Sequence, residues 1–120
     1  MSTVLVVEDS VTEMQLLTSY LQQAGLLVVS AQSVEEAHVK LASQTPDLIV
    51  LDVILPGQSG FELCRELKAD PKTSQIPVVM CSTKDTEVDK MWGSLLGANA
   101  YLPKPVDPAV FLSTIRQLMK

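Results

Sequence analysis

Asp47-Leu48-Ile49-Val50-Leu51-Asp52-Val53-Ile54-Leu55-Pro56-Gly57-Gln58-Ser59-Gly60 decides how the rest of the chain is read. An unbroken apolar run that ends on a carboxylate and passes at once into turn residues predicts a strand buried on both faces, with Asp52 at its C-terminal end. A lone carboxylate is costly to bury. Asp52 is therefore expected at the rim of a sheet or in a site built to hold it, because open α/β sheets place their chemistry in the crevice beyond the carboxyl ends of the strands.

Outward from that stretch, the same alternation of short apolar runs and helical patterns repeats. Thr3 to Val7 is a β-branched strand closed by Glu8-Asp9-Ser10, and Ser10 or Asp9 caps the first helix. From Val11 to Ala24, Met14, Leu17, Leu21 and Ala24 recur at helical spacing until Gly25 supplies the stop. Leu26 to Ala31 is a second strand, and Ser33-Val34-Glu35-Glu36 has the form of a capping box opening a helix through Leu41 and Ala42. The third strand is Leu48 to Leu51. After it, Ser59-Gly60-Phe61-Glu62 is a further capping box, for a helix that stops before Asp70-Pro71. Ile76 to Cys81 makes the fourth strand, followed by Ser82-Thr83-Lys84-Asp85. A fourth helix spans Thr86 to Leu96 even though Gly93 weakens it. Ala100 to Pro103 is the fifth strand, and Asp107-Pro108 caps a last helix that buries Phe111, Ile115 and Leu118.

Strands that alternate with helices and lack polar alternation predict a mostly parallel, doubly wound sheet with right-handed crossovers and helices on both faces. The 120 residues suffice for one domain with a real core and are too few for two. With 9 Lys plus Arg against 14 Asp plus Glu, and a net charge of −5, the chain lacks the basic footprint of a nucleic-acid or anionic-membrane binder. Its N-terminus has no basic region ahead of the apolar run, so no signal peptide is expected. Cys64 and Cys81 sit inside apolar patterns and form neither a CxxC motif nor a disulfide framework, which predicts reduced core thiols and a cytoplasmic protein. His38, the only histidine, cannot build a histidine metal site and is expected to face solvent.

The strand ends carry the functional signal: Glu8 and Asp9 after the first, Asp52 after the third, Ser82 and Thr83 after the fourth, Lys104 after the fifth. Taken singly, Asp9 is a helix cap, Ser82 a cap of the fourth helix and Lys104 a solvated lysine beside a turn. Together they shift the balance. If the first and third strands are neighbours, three carboxylates converge, and their repulsion raises at least one pKa unless a cation intervenes. An oxygen-only cluster suits a hard divalent ion such as Mg²⁺. Acids, a nucleophilic carboxylate, a hydroxyl and a lysine at separate strand ends are the parts needed to move a phosphoryl group.

This arrangement resembles the receiver domain of two-component response regulators, in particular its stand-alone CheY-like form. The resemblance covers the whole chain. It rests on the paired acids in Val6-Val7-Glu8-Asp9, Leu51-Asp52 followed by Leu55-Pro56-Gly57 and Gly60, Val78-Val79-Met80-Cys81-Ser82, and Gly97-Ala98 with Tyr101 before Lys104-Pro105. It implies a flavodoxin-like five-stranded sheet in the order 2-1-3-4-5. It also implies that Asp52 is the phosphoacceptor, taking its phosphoryl group from the phosphohistidine of a CheA-like histidine kinase. Asp9, Asp52, the backbone carbonyl of Ile54 and, mostly through water, Glu8 would bind Mg²⁺. Lys104 would pair with the phosphoryl group, Ser82 would hydrogen-bond it, and backbone N–H groups near Ile54 and Thr83 would add donors.

The resemblance further implies a switch, in which Ser82 moves toward the phosphoryl oxygens and Tyr101 rotates inward. The surface of the fourth helix, fifth strand and fifth helix, where a downstream protein docks, is thereby reshaped. The Lys104-Pro105 bond would be cis. A monomer or a weak phosphorylation-dependent dimer is expected, with no turnover of an external substrate. Glu8, Ser82, Ser59 and Thr83 depart from the commonest family residues without removing a required group. Ile54 and Lys84 occupy positions that tune hydrolysis in relatives, and the apolar Ile54 predicts slow autodephosphorylation. Asp85 to Tyr101, with Asp89-Lys90-Met91-Trp92-Gly93, is similar to the PilH and PixH type of regulator from twitching-motility and phototaxis pathways. There Trp92 is either a partly buried anchor or a partner-binding hot spot.

Three other classes compete. An electron carrier of the same topology needs a hydroxyl- and glycine-rich phosphate loop where this chain has Glu8-Asp9-Ser10. An aspartate-nucleophile phosphatase wants a second acid where this chain has Ile54. A phosphorylation-independent scaffold would lack a site residue, and none is missing.

Overall fold

Successive side chains of a strand point to opposite faces, so each apolar strand of this chain feeds two cores at once. In the computed structural model, which describes residues 2–120, the elements are β1 (Thr3–Val7), α1 (Val11–Gln23), β2 (Leu27–Ala31), α2 (Val34–Ser43) and β3 (Leu48–Leu51). They continue as α3 (Gly60–Ala69), β4 (Val78–Ser82), α4 (Glu87–Leu95), β5 (Ala100–Pro103) and α5 (Pro108–Leu118). All neighbouring strands pair in parallel, in the order β2-β1-β3-β4-β5. Val4, Val6, Val50, Val79 and Cys81 pack on one face with Leu17 and Leu21 of α1 and Phe111 and Ile115 of α5. Leu5, Val7, Ile49, Leu51 and Met80 pack on the other with Ala37 of α2 and Leu63, Cys64 and Leu67 of α3. Both faces are covered, which accounts for strands without polar alternation.

The boundaries differ from expectation for local reasons. β2 begins at Leu27, not Leu26, because the helix stop consumes the Leu26 N–H. Gly25, at φ +83°, turns the chain so that its own N–H reaches the Gln22 carbonyl at 2.9 Å and that of Leu26 reaches Leu21 at 3.1 Å. β4 begins at Val78, since Pro77 has no N–H for the ladder and the Ile76 N–H is committed to Thr73. It ends one residue later than expected, at Ser82. Ser10, not Asp9, caps α1, and Ser33 and Ser59 accept from Glu36 and Glu62 N–H groups. The complete reciprocal capping box forms elsewhere, at Thr86 and Asp89 of α4. Cys64 and Cys81 are free and buried. His38 is half exposed and meets Glu66 of α3 at 3.1 Å. The Lys104-Pro105 bond is cis.

Candidate functional site

Strand register assembles the site. Val7 lies opposite Leu51, so Glu8 and Asp52 leave adjacent strands side by side, and the Asp52 N–H donates to the Val7 carbonyl at 3.0 Å. Carboxylate oxygens of Glu8, Asp9 and Asp52 come within 4.8 Å of one another. Glu8 and Asp52 are buried, at 1% and 7% exposure, and Asp9 opens to solvent. After Asp52 the chain folds back tightly enough to start α3 over it. The Gly60 N–H donates to Val53 at 2.9 Å, and a Cβ at Gly60 would collide with the Asp52 carbonyl and the Val53 backbone. A close approach of this kind admits only glycine.

Lys104 enters from the far side. β5 pairs with β4 so that Ser82 lies opposite Pro103, and the Lys104 N–H donates to the Ser82 carbonyl at 3.0 Å. The Lys104 ammonium, almost wholly buried, reaches Asp52 Oδ2 at 3.0 Å and also pairs with Glu8 Oε1. It is not a solvated lysine. The second oxygen of each acid is also engaged: Glu8 Oε2 accepts from the Ser10 N–H at 3.1 Å, and Asp52 Oδ1 from the Ile54 N–H at 3.1 Å. Three carboxylates against one ammonium leave two negative charges, and all donor atoms are oxygens. That set fits one hard divalent cation such as Mg²⁺.

The electrostatics are set by burial. Desolvation raises the Glu8 carboxyl above its ordinary range, opposed by its bond to Lys104 and reinforced by the charge of Asp52. Burial pulls Lys104 down, but its hydrogen bonds to Glu8 and Asp52 outweigh this and leave it raised, so it is an ammonium throughout the neutral range. The repulsion anticipated among the acids is thus met in part by a lysine held between two of them.

Ser82, fully buried, turns its hydroxyl to accept from the Lys84 N–H at 3.1 Å, with Thr83 next to it at the exposed rim. Tyr101 donates its hydroxyl to the Lys84 carbonyl. Burial first, and then the negative charge of Asp89, pushes this phenol up to about 12, which keeps it a donor. Its ring lies so close to α4 that a Cβ at Gly93 would stand 2.9 Å from Tyr101 Cδ2 and 3.0 Å from Met80 Sδ. Gly93 is therefore a packing requirement of Tyr101, not a break in the helix. Tyr101 is seated against α4, and Ser82 is bonded to the loop through the Lys84 N–H.

Sequence reasoning gave Lys84 a place only among the positions that tune hydrolysis and missed that it joins these parts. The Lys84 backbone binds both Ser82 and Tyr101, and its ammonium reaches Asp89 Oδ1 at 3.2 Å; Asp89 Oδ2 accepts from the Thr86 N–H and hydroxyl. Hydrogen bonds from Thr86 hold the Asp89 carboxyl below the usual range. The Thr86-x-x-Asp89 spacing was the available signal, masked by Gly93.

Comparison with known proteins agrees with this geometry. The response regulator receiver domain model matches residues 4–116. The chain is 40% identical to protein PilH of Pseudomonas aeruginosa, over 99% of this chain and 98% of that one. A crystal structure of a putative response regulator from Chloroflexus aurantiacus superposes with a TM-score of 0.94 at 33% identity, covering 98% of this chain and 97% of the other. The chemotaxis response regulator CheY4 of Vibrio cholerae superposes with a TM-score of 0.91 at 31% identity, covering 98% of each chain.

Proposed function

The chain belongs to the response regulator receiver domain family, and from that premise we propose that Asp52 accepts a phosphoryl group from a CheA-like histidine kinase and thereby switches a protein-docking surface. The observation that carries this reading is the buried Asp52 carboxylate, held at 3.0 Å by Lys104 within a cluster of three acids. An Asp52 oxygen attacks phosphorus, the P–O bond forms as the P–N bond of the phosphohistidine breaks, and the electron pair leaves with the imidazole. Asp9, Asp52, the Ile54 carbonyl and Glu8 would hold Mg²⁺, which when bound neutralises charge on the transferring group. Lys104 supplies a fixed positive charge to the phosphoryl oxygens, and Ser82 and the Thr83 N–H supply donors.

Transfer changes what Ser82 faces. When its hydroxyl turns to a phosphoryl oxygen, the Lys84 N–H loses its acceptor, and the loop that also carries the Tyr101 bond and the Asp89 ion pair is freed to shift. The surface of α4, β5 and α5 is then biased toward a downstream partner in proportion to the difference in contacts between the two states. The Ile54 side chain is exposed and apolar, so it cannot orient an attacking water, and the phosphorylated state decays slowly. Similarity to PilH supports a motility or taxis pathway and a cytoplasmic location. The protein turns over no external substrate. The test is phosphotransfer from radiolabelled CheA-like kinase. Label is expected to pass to wild type and not to Asp52→Asn; equal labelling of both would refute the assignment.

A further inference from the structure

The sheet ends on β2, and that edge is open. The Leu27 N–H donates to the Ser2 carbonyl at 3.0 Å and the Glu8 N–H to the Ala31 carbonyl at 2.9 Å, so Leu27, Val29 and Ala31 turn their backbone groups to β1. Val28 and Ser30 therefore each present an N–H and a carbonyl on the outer side, with no partner among the described residues. Proteins ordinarily blunt such an edge with charge, proline or a bulge. β2 has none of these: its register with β1 is unbroken from Leu27 to Ala31, and no Asp, Glu, Lys, Arg or Pro occurs between Glu13 and Glu35. The opposite edge, β5, is shorter and ends on Pro103. Leu27 is 50% exposed, and a groove of about 480 Å³ at the start of the strand is lined by Gln22, Gly25, Leu27, Val29 and Gln44.

We propose that the β2 edge docks an extended, uncharged segment of a partner protein, which joins the sheet as an added outer strand. The free backbone groups decide the form of the occupant, because an extended chain matches donors and acceptors at this spacing. The flanking side chains decide its composition. Leu26 and Val28 pack toward the core under α1, and Val29 and Ala31 toward the core under α2. A strand laid beside them meets apolar groups on both faces, so it is a continuous run of valine, isoleucine, leucine or threonine. A charge in that run would lose water with no counter-ion within the stretch from Met14 to Val34 to replace it. A second copy fits less well. Two β2 strands paired antiparallel about Val29 use every free group but set the exposed Leu27 opposite Ala31, which has no exposed surface. Paired about Val28 they match Leu27 with Val29 but leave the Ser30 carbonyl without a donor, because the Leu26 N–H is committed to Leu21. β2 and β5 are opposite ends of the sheet, so this partner leaves the surface of α4, β5 and α5 free for another.

The probe is a short peptide of valine and threonine with blocked ends, titrated into the labelled protein and followed by amide NMR and hydrogen exchange. So short a strand buries less than a standard interface, and binding is expected with a Kd on the order of 100 µM to 1 mM. Exchange of the Val28 and Ser30 amides should slow about tenfold in the complex, while those of Leu27 and Val29, already turned to β1, stay as they were. Methylating the peptide nitrogens that face the edge, or placing glutamate at the centre of the peptide, should weaken binding at least about tenfold. Leu27→Lys and Ser30→Pro should do the same, since the first puts charge on the edge and the second removes an outward donor without touching the ladder to β1; far-UV circular dichroism and acetyl-phosphate labelling check their fold and site. No binding up to about 5 mM peptide, a methylated or acidic peptide that binds as tightly, or both variants binding like wild type would overturn the proposal. So would a wild type that forms dimers in sedimentation and loses them in Leu27→Lys, which would give the edge to a second copy.

Discussion

Replacing Lys104 by Met removes the only counter-charge that two buried acids have among the described residues, while keeping the bulk of the side chain. Lys104 binds both Glu8 and Asp52, and Glu8 is 1% exposed, so the variant holds two adjoining carboxylates with no cation between them. Breaking a buried pair by removing one partner costs about 3–5 kcal/mol, and the lower end applies because Glu8 has a way out. Its carboxyl is already raised by burial and by Asp52; without the lowering effect of Lys104 it rises further and takes up a proton. A group raised on folding favours the folded state fully below its unfolded pKa and loses that favour as pH climbs through the folded value. The difference between variant and wild type should therefore be largest at neutral pH and shrink as the solution is acidified toward the ordinary carboxylate range. In wild type, Lys104 is itself raised, so its contribution persists through neutrality and is lost only as pH rises through its folded value. Urea unfolding in the presence of a chelator should show a loss of about 3 kcal/mol near pH 7.5, or roughly 10 °C in Tm, and a smaller loss near pH 5. A neutral-pH loss under about 0.5 kcal/mol, or one that does not change with pH, would refute the view that Lys104 neutralises the acids.

Other expectations rest on single contacts. Gly93→Ala gains about 1 kcal/mol in helix propensity but drives Tyr101 and Met80 outward from 2.9 and 3.0 Å, and a net loss of about 1–2 kcal/mol in thermal unfolding is expected. Asp89→Ala removes the capping box and the Lys84 ion pair and should lower Tm at neutral pH. Because Asp89 is depressed on folding, that advantage of wild type should vanish as pH falls through its folded value. Burial pushes the Cys81 thiol up to about 12 and also raises Cys64, so neither should react with a thiol reagent near pH 8 until the chain is unfolded. Ile54→Asn should shorten the lifetime of the phosphorylated protein, measured by loss of bound phosphate; an equal or longer lifetime would count against the role given to Ile54.

How much of this was legible in the sequence depended on whether the signal was local. Apolar runs bounded by turn residues located all five strands, and hydroxyl caps located most helix starts, because both are set within a few residues. Errors of one or two residues arose where a backbone N–H had another commitment, at Leu26 after Gly25 and beside Pro77. The strand-end acids, Ser82 and Lys104 were visible because a parallel sheet brings all carboxyl ends to one rim. What was hidden depends on contacts between distant segments. Lys104 between Glu8 and Asp52 requires knowing that β5 returns beside β4, and Gly93 makes sense only once Tyr101 is seen against it. The outward placement of Val88, Met91 and Leu95 on α4 was masked because Asp89 and Gly93 occupy the positions where a core-facing helix carries leucines.

Intact mass after incubation with acetyl phosphate, with and without Mg²⁺, on wild type and Asp52→Asn tests the central claim most directly. Wild type with Mg²⁺ should gain the mass of one phosphoryl group, with little gain when the ion is chelated and none in the variant. A wild type that gains no mass with Mg²⁺, or a variant that gains as much as wild type, would contradict the account.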